Sequence, residues 1–236
     1  MRESSFGPVD FTVNIPEHST RRDSTEGSIQ STVFLWPLLA AVFLAVCLWG
    51  WTFGLTGGNF WAKLSISAAS LMMYSLWFNR RELPQLFDAS WRVLASGVGS
   101  AAILYGIFWV GGVLLRAVFS GSGHMIGAVY ATKAALPTWG IALLLIFLIG
   151  PAEEIFWRGF VQDRLVGAMS PAFGVPLASV VYALVHLWSG NPVLVLAAFV
   201  CGLVWGRQYL KNGTLTGVIV SHVLWDVAVF VVAPLG

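Results

Sequence analysis

Six ionisable residues stand in segments that are otherwise greasy enough to sit in lipid: Glu153, Glu154, Arg158, His186, His222 and Asp226. An ionisable group at membrane depth costs several kcal/mol unless it is paired, faces water or binds something, so each marks a functional candidate. A glutamate can activate water, two histidines with a carboxylate can hold a metal, and a chain of such groups can relay protons. Glu154 and Arg158 are four residues apart with the acid first, and His222 and Asp226 share the same spacing, so each pair lies on one helix face. Taken alone, Glu154 with Arg158 reads as a structural ion pair, and a single buried histidine as a hydrogen-bonded core residue. A buried glutamate, two buried histidines and a buried aspartate at compatible depths are costly together without a shared use.

The elements that carry these residues are membrane helices. Of 236 residues, 57% are hydrophobic and 10% charged, with a mean hydropathy of +0.78, whereas a soluble domain carries about 25% charged residues. The net charge of +2 gives no reason to expect a nucleic-acid partner. Cys47 and Cys201 fall in apolar stretches and imply no disulfide framework. Residues 1–31 are polar and mixed in charge, which predicts a disordered tail. Residues 32–236 read as one all-α, polytopic helical bundle. About 20 apolar residues cross a bilayer, which gives seven predicted spans: 33–54, 60–78, 93–117, 138–160, 172–189, 192–210 and 214–232. Residues 79–92 form a charged turn and an interfacial stretch, and residues 118–137 an outer loop containing His124.

Arg2, Arg21, Arg22, Arg80, Arg81, Arg92, Arg158, Arg164, Arg207 and Lys211 fall on one side of this seven-span layout, against Lys63, Arg116 and Lys133 on the other. Excess Lys and Arg marks the cytoplasmic face, so the N-terminus is expected inside and the C-terminus outside. The apolar run Thr138–Gly150 is too short to cross alone, so the fourth span must continue through Pro151 and both glutamates, which then lie nearer the cytoplasmic side. Pro151 denies the Phe147 carbonyl its helical partner, predicting a bend beside them. A turn at Met169-Ser170-Pro171 would set Glu153 and His186 at equal distances from it and so at equal depth, with Gln162, Asp163 and Arg164 reaching the cytoplasm. Lys211-Asn212-Gly213 is a turn signal before the last span. Gly202 and Gly206 have a spacing that lets membrane helices approach closely.

Glu153-Glu154-x-x-x-Arg158, Tyr182-x-x-x-His186 and His222-x-x-x-Asp226, in that order on late membrane helices, resemble the CAAX protease and bacteriocin-processing (CPBP, Abi, or type II CAAX prenyl endopeptidase) family. The resemblance covers roughly residues 136–232. It implies an intramembrane endopeptidase in a prokaryotic cell membrane, with a polar site open toward the cytoplasmic side. It makes Glu153 the base for a hydrolytic water, His186 a holder of that water or of a metal, and His222 with Asp226 the oxyanion stabilisers, supported by Glu154 and Arg158. Two accounts follow: a zinc site on Glu153, His186 and His222, or a glutamate-activated water with no metal; the second is slightly preferred, since the helical His-Glu-x-x-His motif is absent. The sequence departs from prenyl-protein-processing members at Asp226, where they place asparagine; an ionised carboxylate only accepts hydrogen bonds. The implied partners are a protein or peptide substrate and membrane lipid, and nothing fixes an oligomeric state.

Other readings fit less well. Ser120-Gly121-Ser122-Gly123 lacks the first glycine of a rhomboid-type serine motif, and Gly-x-Gly-Asp does not occur. A non-proteolytic scaffold or immunity factor would use the same pocket for binding. A proton-coupled transporter would show broken helices in both halves, whereas the charges here are confined to the second.

Overall fold

The computed structural model describes residues 24–79 and 86–235, with side chains from Trp36 onward. The chain divides at Leu35 into two units. In the first, only Ser24 to Leu35 is described, as helical backbone, so most of the predicted tail lies outside the described residues, as do Arg2, Arg21, Arg22, Arg80 and Arg81. Apart from the part of the first helix before Trp36, the second unit holds everything below.

Every regular element described is helical: α1 (Ser24–Trp49, ending in a π turn at Gly50–Gly54), α2 (Phe60–Asn79), α3 (Trp91–Val118), α4 (Ser122–Ala131), α5 (Thr138–Ala168), α6 (Pro171–Ser189), α7 (Pro192–Asn212) and α8 (Leu215–Val232). Among the described residues six stretches are long and apolar enough to cross a membrane, and α2, the second of the seven predicted spans, falls short because Lys63 and four serines dilute it. Its inner face spends those polar groups on internal bonds: Thr52 and Ser67 hydroxyls lie 2.8 Å apart, and Lys63 Nζ donates to the Leu55 carbonyl at 2.8 Å. The protein is a multi-pass membrane bundle.

Lipid supplies no hydrophobic drive between helices, so packing rests on close approach and on satisfied polar groups. A Cβ on Gly202 would lie 2.9 Å from Ser179 Cβ, and one on Gly206 2.7 Å from Gln162 Oε1, so this pair seats α7 against α6 and α5. Gln162 does not reach the cytoplasm as predicted: it is buried, and its amide donates to the Gly206 carbonyl at 2.9 Å. At the interface made by close glycine packing, that carbonyl is a nearer partner for the amide than bulk water. Large apolar side chains such as Phe43, Trp77, Trp109 and Phe147 point outward, where lipid would meet them.

The two ends of the bundle differ. At one end lie Asn79, residues 86–90, the Met169-Ser170 turn and Gly213, which takes φ +65° to close α7. Asn79 donates to the Gly159 carbonyl, Asn212 to Ser96, and Thr214 to the Leu86 carbonyl, so this end is tied shut. At the other lie residues 55–58, α4, Gly190-Asn191 and residues 233–235. The connection expected as a loop over 118–137 instead contains α4 and a 3-10 turn, Thr132–Ala135. Asn191 donates to the Met125 carbonyl and Trp61 to the Thr132 carbonyl, fixing this cap to α2 and α7.

Candidate active site

Glu153 is the central residue of the 31-residue helix α5. Two π turns, Leu145–Ile149 and Trp157–Gln162, flank the glutamates. Pro151 has no N–H to offer Phe147, and the widened turn just before it absorbs the defect: the Gly150 N–H bonds the Leu145 carbonyl, five residues back. Gly150 also lets α8 come close, since a Cβ there would sit 2.8 Å from Val223 Cγ2. That approach brings His222 beside Glu154.

All six ionisable residues singled out in the sequence are buried, with 7% or less of each exposed. They form two connected sets. Glu154 Oε1 accepts from Arg158 Nη1 at 2.8 Å and lies 2.6 Å from His222 Nδ1, while His222 Nε2 stands 3.4 Å from Asp226 Oδ2. Arg158 lies 5.0 Å from the Tyr182 ring centre and 5.2 Å from that of Trp205, and Trp205 stacks on His222 at 4.0 Å. The Glu154–Arg158 pair is therefore present, but its carboxylate also orients a histidine from another helix.

The second set centres on Glu153. Its Oε2 accepts from the Tyr182 hydroxyl at 2.9 Å, and its Oε1 has no hydrogen-bond partner among the described residues. His186 Nδ1 lies 2.8 Å from the Tyr182 carbonyl, and its Nε2 lies 3.3 Å from the indole nitrogen of Trp49. A carbonyl only accepts and an indole N–H only donates. These partners fix a neutral ring with the proton on Nδ1 and the Nε2 lone pair turned to Trp49.

Glu153, Tyr182, His186, His222 and Asp226 line one cavity of about 530 Å³. The predicted hairpin register holds: the turn falls at Met169-Ser170, and Glu153 and His186 meet on the same cavity. They lie about 16 residues from that turn, roughly 24 Å along a helix. The cavity is lined by Thr56, Gly57, Val129, Tyr130, Ser189 and Leu235, so it is walled by the capped end of the bundle and not by the 169–170 end. The sequence located the glutamates by helix length from the apolar run alone, without α4 and residues 55–58 rising around them.

The set proposed for zinc, Glu153, His186 and His222, does not fit an ion as these side chains are arranged. Both His186 nitrogens are engaged, both His222 nitrogens face carboxylates, and no three His, Cys, Asp or Glu side chains among the described residues form a metal-binding group. Sequence reasoning missed Trp49 and Trp205, which come from other helices and carry no local signal. Tyr182 was visible as part of the Tyr182-x-x-x-His186 spacing, one turn before His186, and it contacts Glu153 directly. His124, in α4, does not line the cavity.

The arrangement offers a carboxylate with one free oxygen, set in a pocket beside an imidazole clamped by acids, which is the equipment for base-assisted attack by water. No curated protein and no solved structure matches the chain. The model of the Rce1-like family, described as type II CAAX prenyl endopeptidase Rce1-like, matches residues 134–228, the stretch from the start of α5 into the last turns of α8. That stretch contains all six of the ionisable residues singled out in the sequence, and the match supports membership of the CAAX-protease (CPBP) family.

Proposed function

We propose that the protein is an intramembrane endopeptidase that hydrolyses a peptide bond near the C-terminus or membrane end of a protein or peptide, using a water activated by Glu153. The observation that carries this is the Glu153 carboxylate in the cavity, anchored through Oε2 by Tyr182 and open at Oε1. Oε1 takes a proton from water as the oxygen attacks the scissile carbonyl carbon. The negative charge that develops on the carbonyl oxygen is met by the Nε2–H of His222, a donor shared with the long 3.4 Å contact to Asp226 Oδ2, while Glu154 holds Nδ1 at 2.6 Å. Collapse breaks the C–N bond, and Glu153 returns the proton to the leaving amine. His186 serves by fixing Tyr182 and the cavity wall. Asp226, in this role, needs only to accept from His222, which an asparagine carbonyl would do equally well.

The test is a cleavage assay on purified protein before and after chelator treatment, with elemental analysis of the parent, His186→Ala and His222→Ala. The proposal expects sub-stoichiometric metal that does not track activity, chelator-resistant cleavage, and Asp226→Asn retaining activity within a few-fold. About one zinc per chain, lost in either histidine variant and restoring activity on return, would replace the metal-free account with the zinc one.

The membrane is proposed to be a prokaryotic cell membrane, with the N-terminus cytoplasmic and the C-terminus external. Arg158 is buried in an ion pair, so the basic excess that sets orientation rests on nine residues of the favoured side, still against three. An N-terminal reporter should read cytoplasmic and a C-terminal one external. Reporters on the same side would mean that α2 does not cross.

A further inference from the structure

We propose that Lys63 makes a carboxylate-binding subsite of the cavity that holds Glu153, so that the polypeptide bound there carries a carboxylate, at its C-terminus or on a side chain. Of the residues that line the cavity, Lys63 is the only lysine or arginine. It is 9% exposed. Its ammonium has three N–H donors, and one of them reaches the Leu55 carbonyl at 2.8 Å. No acidic side chain pairs with it among the described residues. A buried ammonium without an anion is costly, and the neighbouring helix ends offset that cost only in part. Leu55 follows the π turn that closes α1, so its carbonyl lends the partial negative charge of a helix C-terminus. Lys63 also stands in the first turn of α2, whose N-terminal end is partially positive. An anion placed there from the cavity would meet both the ammonium and the α2 end.

The wall between Lys63 and the catalytic groups is aromatic. The His186 ring lies 5.6 Å from that of Phe53, which lies 5.3 Å from that of Phe60. Phe60 is three residues before Lys63 on α2, hence on the same helix face. Phe53, Phe60, Trp61 and Leu64 all line the cavity, so apolar side chains of a bound segment can rest on them, and the ammonium at the end of that row is the group left to take a charge. Glu153 and Asp226 line the cavity as well, and as carboxylates they repel a third from the hydrolytic end. A volume of about 530 Å³ lies in the range of roughly 300–1,000 Å³ that encloses a small ligand, so one short stretch of chain can touch both Glu153 and Lys63.

That the bound polypeptide is a substrate rests on the hydrolytic reading; the carboxylate subsite does not, so it is tested by binding in the Glu153→Gln background, where cleavage is removed. The probes are three fluorescently labelled apolar tetrapeptides: one with a free C-terminal carboxylate, the same peptide as a carboxamide, and a carboxamide whose last residue is aspartate. Fluorescence anisotropy with the full-length chain in a zwitterionic detergent should show one or both carboxylate probes binding about tenfold or more tighter than the plain carboxamide, the worth of a charge-assisted hydrogen bond. The probe that gains identifies the source of the carboxylate. Lys63→Gln should erase the difference and leave the affinity for the carboxamide in place, and Lys63→Arg should retain most of it. Equal binding of the three probes, binding of none, a preference that survives Lys63→Gln, or a fall of all three affinities together in that variant overturns the proposal. So does loss of the preference when phosphatidylglycerol is added, which would give the ammonium to a lipid phosphate. Should Lys63→Gln not fold, Lys63→Met takes its place, and the comparison of probes with Lys63 present stands by itself. Cleavage by the parent chain is scored separately, so hydrolysis without this subsite and binding without hydrolysis are each recognised.

Discussion

Glu153→Gln is expected to lower cleavage by roughly 10²–10⁴-fold, the usual worth of a positioned general base, while the yield and thermal stability of the folded protein stay near those of the parent. Glutamine keeps the size of the side chain, and its amide oxygen can still accept from the Tyr182 hydroxyl that now holds Oε2 at 2.9 Å. What it loses is the proton-accepting Oε1, the oxygen of this carboxylate that faces the cavity with no partner among the described residues. Because that atom supports nothing else, its chemistry can be removed without unfolding the pocket. Full physiological function in the folded variant would remove the hydrolytic reading and leave the scaffold or immunity-factor reading standing. A variant that fails to fold is identified by size-exclusion behaviour in detergent before any assay.

Glu154→Gln should act in the opposite way, as a folding defect. Glu154 is fully buried and its Oε1 serves both Arg158 and His222. Removing one partner of a buried ion pair typically costs about 3–5 kcal/mol, because the remaining charge is left uncompensated. Native proteins are stable by only about 5–15 kcal/mol, so the yield of monodisperse protein should fall sharply. Arg158→Ala should cost less, since Glu154 then keeps His222 as a partner and Arg158 leaves no charge behind. If Glu154→Gln folds as well as the parent but loses activity, Glu154 is a catalytic orienter whose ion pair contributes little to stability.

The contrast between adjacent glutamates was only half legible in the chain. Spacing showed that Glu154 and Arg158 share a helix face, because an i, i+4 pair is decided by helix geometry alone. Spacing could not show that Glu154 also takes His222, 68 residues later, because that contact depends on how near α8 comes to α5. The distance is set by Gly150, whose missing Cβ admits Val223. Gln162 was misplaced for a related reason: polarity pointed it to water, while the glycine-lined groove of α7 offered a backbone carbonyl first.

The sequence by itself determined that the chain is a membrane bundle, where its long helices run, and that Glu153 and His186 stand level across the α5–α6 turn. These follow from composition, helix rise and turn chemistry, all of which are local properties. Tertiary structure alone decided that Trp49, 137 residues before His186, donates its indole N–H to that histidine's Nε2. It also decided which end of the bundle the cavity opens to, because α4 and residues 55–58 reach the site only through packing. An ionisable residue announces its cost in the sequence, but the partner that relieves the cost lies on another helix, and only close packing in three dimensions selects it.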